Sequence, residues 1–287
     1  MKNAKSTHID GGIRKKSILN FYNYNKFFTI ITVVLNASKD LEKTIISLKK
    51  QKFKNFEHLI IDGGSNEQTL AILKKYNNSI SYWISSRDGG IYDAMNKGIN
   101  LAKGKFIGML NSGDTYNPNS LKIVHSYIKM NPGIDFIFGP VKKKILKWKY
   151  NPIKIYWSFD FYSSHSSGFF IKSSAQKKIG IYDTKYKISS DFDFFYRMIV
   201  KNKMKGIMIP KNTVIGNFKS GTSYSSKFLY IEHLIEEIKI RINNKQNILI
   251  IFIILIFHLL MNFKKINLRN DLYKILDVIK LFFFTKK

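Results

Sequence analysis

The chain has 287 residues, with 48 Lys and Arg against 19 Asp and Glu, a formal charge of +29. Its 45% apolar content can build a core, which excludes a disordered composition. The absence of cysteine excludes disulfides, thiolate catalysis and cysteine-ligated zinc. The length suits one large domain, or one domain with an appendage. The positive balance favours anionic partners such as nucleic acid, anionic lipid or phosphorylated substrates.

The segment to Lys26 is polar and basic without an apolar centre, and it reads as a loose lead-in rather than a secretory signal. Phe27 to Leu35 is a run of apolar and β-branched residues, the composition of a buried parallel strand. Asn36-Ala37-Ser38 ends it, and Ser38 can cap a helix running to about Lys50. Phe56 to Ile61 is a second strand, ending in Asp62-Gly63-Gly64-Ser65. A helix from Glu67 to Tyr76 and a short strand from Ile80 to Ile84 follow. The glycine turn at Asp88-Gly89-Gly90 opens a helix from Ile91 to Ala102, and Gly104 stops it. The apolar strand Phe106 to Leu110 then breaks into Asn111-Ser112-Gly113-Asp114.

This alternation predicts an α/β fold with a mostly parallel, doubly wound sheet and right-handed crossovers. Open sheets of this kind bind ligands at the carboxyl ends of their strands. Asp62 and Asp114 both fall there, each in a glycine turn. A carboxylate in a polar turn suits a hard cation that holds phosphates. An ordinary Asn-Ser-Gly-Asp turn is the plainer alternative.

The second half is less regular. Strands are expected at Asp135 to Phe138, Val141 to Tyr150, Gly168 to Ile171, Lys205 to Ile209 and Thr213 to Phe218. Helices are expected at Ser173 to Ile179 and from Asp191 to about Lys201. After the Ser/Gly-rich loop Lys219 to Ser226, a long charged helix ends near Ile242. Ile248 to Phe263 is almost wholly apolar, yet short of the ~20 residues of a spanning helix. Lys245, Lys264 and Lys265 flank it, and Leu272 to Phe284 is a second apolar stretch carrying lysines. The tail reads as a helical pair lying in a membrane interface; helices packed on the globular domain or on a partner chain are the alternative.

Several segments together carry a resemblance. They are Thr32-Val33-Val34-Leu35-Asn36, Ile61-Asp62-Gly63-Gly64-Ser65, the block from Asp88 to Ile99, Leu110-Asn111-Ser112-Gly113-Asp114, His165, and Ser190-Asp191-Phe192-Asp193. In this order and spacing the chain resembles glycosyltransferases of family 2 with a GT-A fold, and among them the bacterial enzymes of colanic acid, O-antigen and capsular polysaccharide synthesis. The resemblance runs from about Phe27 to Tyr224. It implies a lead-in over 1–26, a catalytic domain over 27–226 and C-terminal, membrane-associated helices over 227–287. Within the catalytic domain, 27–117 would be the nucleotide-sugar half and 118–226 the acceptor half.

The resemblance also implies roles. Asn36 and Asp62 would hold the base and ribose of a nucleoside diphosphate sugar. Asp88 would lie near the ribose or sugar, and Asn96, Asn111 and His165 would join the substrate site. Asp114 would be the metal ligand, with Mg or Mn neutralising the diphosphate leaving group. Asp191 would be the general base on the acceptor hydroxyl, and Asp193 would orient or cap the following helix. Plainer readings stand beside these: Asp62 as a turn residue, Asp191 as a helix cap and His165 as a structural histidine. Asn111 and Gly113 depart from the family, standing where many relatives have aspartates. Asn66-Glu67-Gln68 replaces Thr-Asp-Gly at a helix start.

The expected reaction is inverting transfer from a nucleotide sugar to an acceptor hydroxyl, on a lipid-linked or other saccharide. It would take place at the cytoplasmic face of a bacterial inner membrane, with no nucleic-acid partner. The competing classes are a nucleotidyltransferase on a similar sheet and a non-enzymatic, basic nucleic-acid-binding protein.

Overall fold

The computed structural model describes residues 8–16, 25–142, 150–159, 161, 165–219 and 230–262. In chain order its elements are β1 (Ile9–Gly11), α1 (Ile13–Lys16), β2 (Phe28–Val34), α2 (Ser38–Lys49), β3 (Phe56–Asp62), α3 (Glu67–Lys75), β4 (Tyr82–Ser85) and α4 (Ile91–Leu101). There follow β5 (Phe106–Met109), β6 (Thr115–Tyr116), α5 (Ser120–Met130), β7 (Phe136–Phe138), β8 (Val141–Lys142), α6 (Pro152–Trp157), β9 (Phe169–Lys172) and α7 (Ser173–Ile179). The last are α8 (Ser190–Tyr196), β10 (Gly206–Met208), β11 (Gly216–Asn217), α9 (Tyr230–Asn243) and α10 (Ile248–Met261). Arg197–Lys201 extends α8 as a π-helical turn.

The chain forms two compact units, one of residues 1–150, 162–181 and 204–220, the other of 151–161, 182–203 and 221–287. Residues 151–161 and 182–203 thus group with the C-terminal helices in the second unit.

The first unit is built on a mixed sheet in the order β1-β4-β3-β2-β5-β9-β7-β10. Its centre, β4-β3-β2-β5, is parallel as expected. The sheet turns antiparallel at β9, which pairs with both β5 and β7. All seven residues of β2 are buried. That is why its sequence is continuously apolar and β-branched: helices cover both faces of such a sheet. Its two threonines are satisfied within the core. Thr29 Oγ1 donates to Glu57 Oε1 at 2.5 Å, and Thr32 Oγ1 donates to the Leu110 carbonyl at 2.8 Å. On one side Phe28, Ile30, Leu121, Val124, Ile128 and Phe170 form a core; on the other Leu41, Ile45, Ile60, Leu73 and Trp83 do. A smaller sheet, β6-β11-β8, stands beside the large one.

Two expectations change in this unit. Residues 9–11 are no loose lead-in: β1 pairs antiparallel with β4, Gly11 opposite Trp83. Arg14 fixes the segment through an ion pair with the buried Glu57 and a 3.1 Å bond to the Leu101 carbonyl. A three-residue strand held by such distant partners has no periodicity to read. Helix α5 is also additional, its buried Leu121, Val124 and Ile128 falling at helical spacing. Of the expected strand from Val141 to Tyr150, Val141–Lys142 form β8, Tyr150 lies outside any strand, and residues 143–149 lie outside the described residues.

In the second unit, α9 organises α6 and α8. Arg241 of α9 is fully buried and donates to the carbonyls of Tyr156 (3.1 Å) and Ser158 (2.6 Å) and to Gln246 Oε1 (2.8 Å). Its guanidinium lies over Phe159 and Phe192. Glu236 accepts from the N–H groups of Lys187, Ile188 and Ser189 at the start of α8, where unpaired donors and the helix dipole favour a carboxylate. Helix α10 packs Ile251, Ile254 and Leu255 against Ile231, Leu234, Ile238 and Phe159. Its other face exposes Leu249, Ile253, Phe257, Leu260 and Met261, each more than 60% accessible. Among the described residues no helix is long and apolar enough to cross a membrane. The second apolar stretch, Leu272 to Phe284, lies outside the described residues.

Candidate functional site

Strand β5 stands beside β2 at the point where the strand order reverses, the place where open α/β sheets take ligands. The turn that follows is held from three directions. Gly113 adopts φ +98°, a left-handed conformation natural to glycine. Its N–H donates to Thr44 Oγ1 of α2 at 2.9 Å, and the Thr44 hydroxyl donates in turn to the Asp114 carbonyl at 2.9 Å. The Lys219 N–H donates to Asp114 Oδ1 at 3.0 Å. Asp114 Oδ2 stands 3.4 Å from His165 Nδ1. His165 stacks on Phe218 with ring centroids 3.7 Å apart, and its Nδ1 is 3.0 Å from the Ser167 hydroxyl. The structure thus joins Asp114 and His165, and Asn111 reaches the same segment through a 3.2 Å bond from Nδ2 to Ser166 Oγ.

Asp114 is 2% exposed. Burial pushes its carboxyl up to about 7, against the pull of the Lys219 N–H and the nearby Ser167 hydroxyl. Three buried oxygens of this turn, Asn111 Oδ1, Ser112 Oγ and Asp114 Oδ2, lack a hydrogen-bond partner among the described residues. Buried polar groups are normally satisfied, so a cluster of orphans marks a place for an ion or ligand. No cluster of three acidic or histidine side chains able to hold a metal occurs among the described residues. A hard cation kept by one carboxylate and completed by substrate phosphates fits this oxygen set better than an all-protein cage does.

Lys219 was not expected here. It follows β11, which pairs with β6 and β8. Its ammonium pairs with Asp40 in the first turn of α2.

At the neighbouring strand ends the expected carboxylates differ in their commitments. Asp62 is fully buried. Its Oδ2 accepts from the Ser65 N–H at 3.0 Å and the Ser85 hydroxyl at 2.5 Å, and its Oδ1 accepts from the Ser65 hydroxyl. Asp62 therefore ties the ends of β3 and β4 together. Asn36 is exposed at φ 50°; its N–H donates to Ser65 Oγ and its Oδ1 accepts from the Asn66 N–H. Asn66 caps α3, its side chain accepting from the Thr69 N–H at 3.2 Å.

Asp88 is half-buried, its Oδ1 accepting from the Gly90 N–H at 2.9 Å, while Oδ2 faces Gly63. Burial raises its pKa, with Gly90 opposing. Asp93 accepts from the Gly89 N–H at 2.9 Å and so braces the same loop. Asn96 is buried on α4, among Ala94, Met95, Gly98 and Ile99.

In the second unit, Asp191 and Asp193 lie in the first turn of α8. Asp191 is half-buried and its Oδ1 accepts from the Phe192 N–H at 3.0 Å. Asp193 is buried and accepts from Arg197 Nε at 2.8 Å and Asn244 Nδ2 at 2.9 Å. Its carboxylate links α8 to the residue that follows α9.

The model of the family described as Glycosyl transferase family 2 matches residues 29–202. An uncharacterized glycosyltransferase of Mycobacterium tuberculosis is 30% identical over 185 residues, covering 59% of this chain and 67% of that one. The PGL/p-HBAD biosynthesis glycosyltransferase of Mycobacterium bovis is 27% identical over 59% of this chain and 68% of its own. Among solved structures, Staphylococcus aureus TarS 1-349 in complex with UDP-GlcNAc superposes with a TM-score of 0.64 at 19% identity, over 85% of this chain and 74% of that one. The mannosyltransferase PcManGT from Pyrobaculum calidifontis, in complex with GDP-Man and Mn2+, gives 0.59 at 12% identity, over 78% and 66%. The chain spans 39% of the longer TarS chain. Together the family match and the shared GT-A fold decide among the three classes weighed above: this chain belongs to glycosyl transferase family 2 and is a nucleotide-sugar-dependent glycosyltransferase.

Proposed function

We propose that the protein transfers a sugar from a nucleoside diphosphate sugar to an acceptor hydroxyl with inversion, and that the acceptor is a lipid-linked saccharide of bacterial surface polysaccharide synthesis. The observation that carries this reading is the turn after β5, with three buried oxygens that have no partner among the described residues, beside the strand-order reversal. Asp114 Oδ2 and Asn111 Oδ1 are the atoms that would hold Mg or Mn there. A cation so bound supplies charge neutralisation for the departing diphosphate.

The donor's nucleoside would lie across the ends of β2, β3 and β4, near Asn36 and Asp88. Asp62 supports that edge by holding Ser65 and Ser85 in place. Asp191 is the base that removes the acceptor proton; attack on the face opposite the leaving group then inverts the anomeric centre. Two structural neighbours were solved with UDP-GlcNAc and with GDP-Man and Mn2+, which supports a UDP- or GDP-linked donor.

The exposed apolar face of α10 and the chain's charge of +29 support attachment to an anionic membrane surface, at the cytoplasmic face of the inner membrane. The test is a screen of UDP- and GDP-sugars for thermal stabilisation with and without Mn. A donor at ~100 times its Kd adds about 2.7 kcal/mol. Absence of any stabilisation across the panel would remove the donor class.

A further inference from the structure

The structure assigns a second charge carrier to the donor site: we propose that Lys219, whose ammonium is held by Asp40 in this structure, turns to the donor's diphosphate and neutralises part of its charge. This rests on the reading of the turn after β5 as the diphosphate site.

Three observations meet at this residue. The Lys219 N–H donates to Asp114 Oδ1 at 3.0 Å, so its backbone is anchored to the same carboxylate that faces the diphosphate. Its alkyl chain crosses Gly113: a Cβ built on that glycine would stand 2.9 Å from Lys219 Cδ. A side chain at position 113 would thus displace the lysine. The missing carboxylate at 113 and the presence of a cation above it are one arrangement. The ammonium is at hand, since it pairs with Asp40, whose Cβ lies 3.5 Å from the same built Cβ.

The chemistry follows from the charges. With Asn111 and Gly113 uncharged, the turn offers a divalent cation one carboxylate, which weakens its hold on the metal. An ammonium is a point charge well suited to phosphate oxygens. Its present partner is no strong trap, because the Lys219 side chain is 38% exposed and Asp40 is 19% exposed; solvent screens such a pair. A diphosphate carries more negative charge than the single carboxylate it would replace. Site and cation are held together by β11, and Phe218 continues the strand with a 3.0 Å bond to the Lys142 carbonyl.

The test measures UDP and GDP binding by calorimetry, in EDTA and in Mn, for the wild type, Lys219→Met and Asp40→Asn. Methionine keeps the backbone N–H that supports Asp114, and the unliganded Tm of each variant checks folding. The wild type is expected to retain binding in EDTA, and Lys219→Met to lose tenfold or more there, with a smaller loss in Mn. Asp40→Asn is expected to bind more tightly in EDTA, because the ammonium no longer has to leave a carboxylate. Equal binding by the wild type and Lys219→Met in EDTA, or wild-type binding that needs Mn absolutely, overturns the role of the lysine. No binding of either nucleotide by the wild type even in Mn overturns the donor site itself, a distinct result.

Discussion

A Cβ on Gly63 would stand 2.8 Å from Asp88 Oδ2, so the loop after β4 closes over the loop after β3 because residue 63 has no side chain. Arg87 covers Gly64 in the same way, where φ is +85°. Gly63→Ala should force Asp88 aside, destabilise the protein by about 1–3 kcal/mol as overpacking does, and weaken donor binding. The clash has a named partner, so the cost should shrink when Asp88→Ala is made as well. Urea unfolding of both single variants and the double variant measures this coupling, expected in the range ~0.5–3 kcal/mol. An alanine that costs the same in both backgrounds would show that something other than Asp88 requires the glycine.

Asp114 is a carboxylate whose burial is unfavourable and whose Oδ2 is one of the buried oxygens without a hydrogen-bond partner among the described residues. Asparagine keeps its shape and removes the buried charge. Asp114→Asn is therefore expected to leave unliganded Tm unchanged or raised while abolishing Mn-dependent nucleotide binding. Thermal shifts with UDP and GDP, with and without Mn, separate the two effects. Undiminished Mn-dependent binding in the variant would take the metal role away from Asp114.

His58 provides a pH signature remote from the turn. It is buried against the Thr32 hydroxyl at 2.9 Å, and desolvation depresses its pKa from 6.5 to about 3. The folded state thus keeps the ring neutral, while the unfolded chain protonates it below about 6.5. Stability from this group is complete above that value and falls as pH drops toward about 3, with a limiting slope of about 1.4 kcal/mol per pH unit. His58→Gln should remove this slope. The quantity to measure is the difference between wild-type and variant unfolding free energies from pH 7.5 to pH 4.5; a constant difference would mean that His58 does not titrate on unfolding.

The parallel core was legible because β2 and β3 are short apolar runs bounded by glycine and polar turns, and because α2, α3 and α4 carry regular helical spacing. The turn at Asp114 was legible for the same reason: a strand that stops abruptly in polar residues exposes its end. Lys219 was not, since it lies 105 residues beyond Asp114 and arrives there only through β11, a two-residue strand. The commitments of Asp62 were equally hidden. An aspartate at a strand end reads as a ligand group, and only the positions of Ser65 and Ser85 show its oxygens engaged within the fold. Nor does any local pattern join residues 151–161 to α9, because the ties are made by residues distant in sequence: the buried Arg241, which donates to the carbonyls of Tyr156 and Ser158, and Phe159, which packs on Ile231, Leu234 and Ile238.

The exposed face of α10 predicts how attachment to lipid can be separated from folding. Ile253 and Phe257 are 62% and 66% exposed, whereas Ile251 and Leu255 are buried against α9. Ile253→Glu with Phe257→Glu should release the protein from vesicles containing anionic lipid and leave Tm nearly unchanged. Removing Asn247 to Lys287 should also release it, and nucleotide binding should survive. Vesicle sedimentation gives the binding. Unfolding of the double variant would mean that this face is covered in the protein, by another part of the chain or by a second copy.

The two carboxylates of α8 should separate a chemical role from a structural one. Asp193 is 4% exposed, and both its oxygens are engaged, by Arg197 and by Asn244. Asp193→Asn breaks a charge-assisted bond in a buried setting, so it should cost about 1–3 kcal/mol of stability. Turnover per folded molecule should change little. Asp191 lies two positions earlier, half-buried, with the Phe192 N–H on one oxygen. An acceptor hydroxyl is a weak nucleophile until its proton is taken, and a carboxylate within about 2.6–3.2 Å can take it as the new bond forms. Asp191→Asn should therefore keep donor affinity and fold while kcat falls by roughly 10²–10⁴-fold. Loss of the base slows direct displacement without changing its stereochemistry, so the residual product should still have inverted anomeric configuration. The measurements are kcat, donor Kd and Tm for both variants, and the anomeric configuration of the product by NMR. A retained configuration would sink the single-displacement mechanism, and a larger kcat loss in Asp193→Asn than in Asp191→Asn would move the base to Asp193.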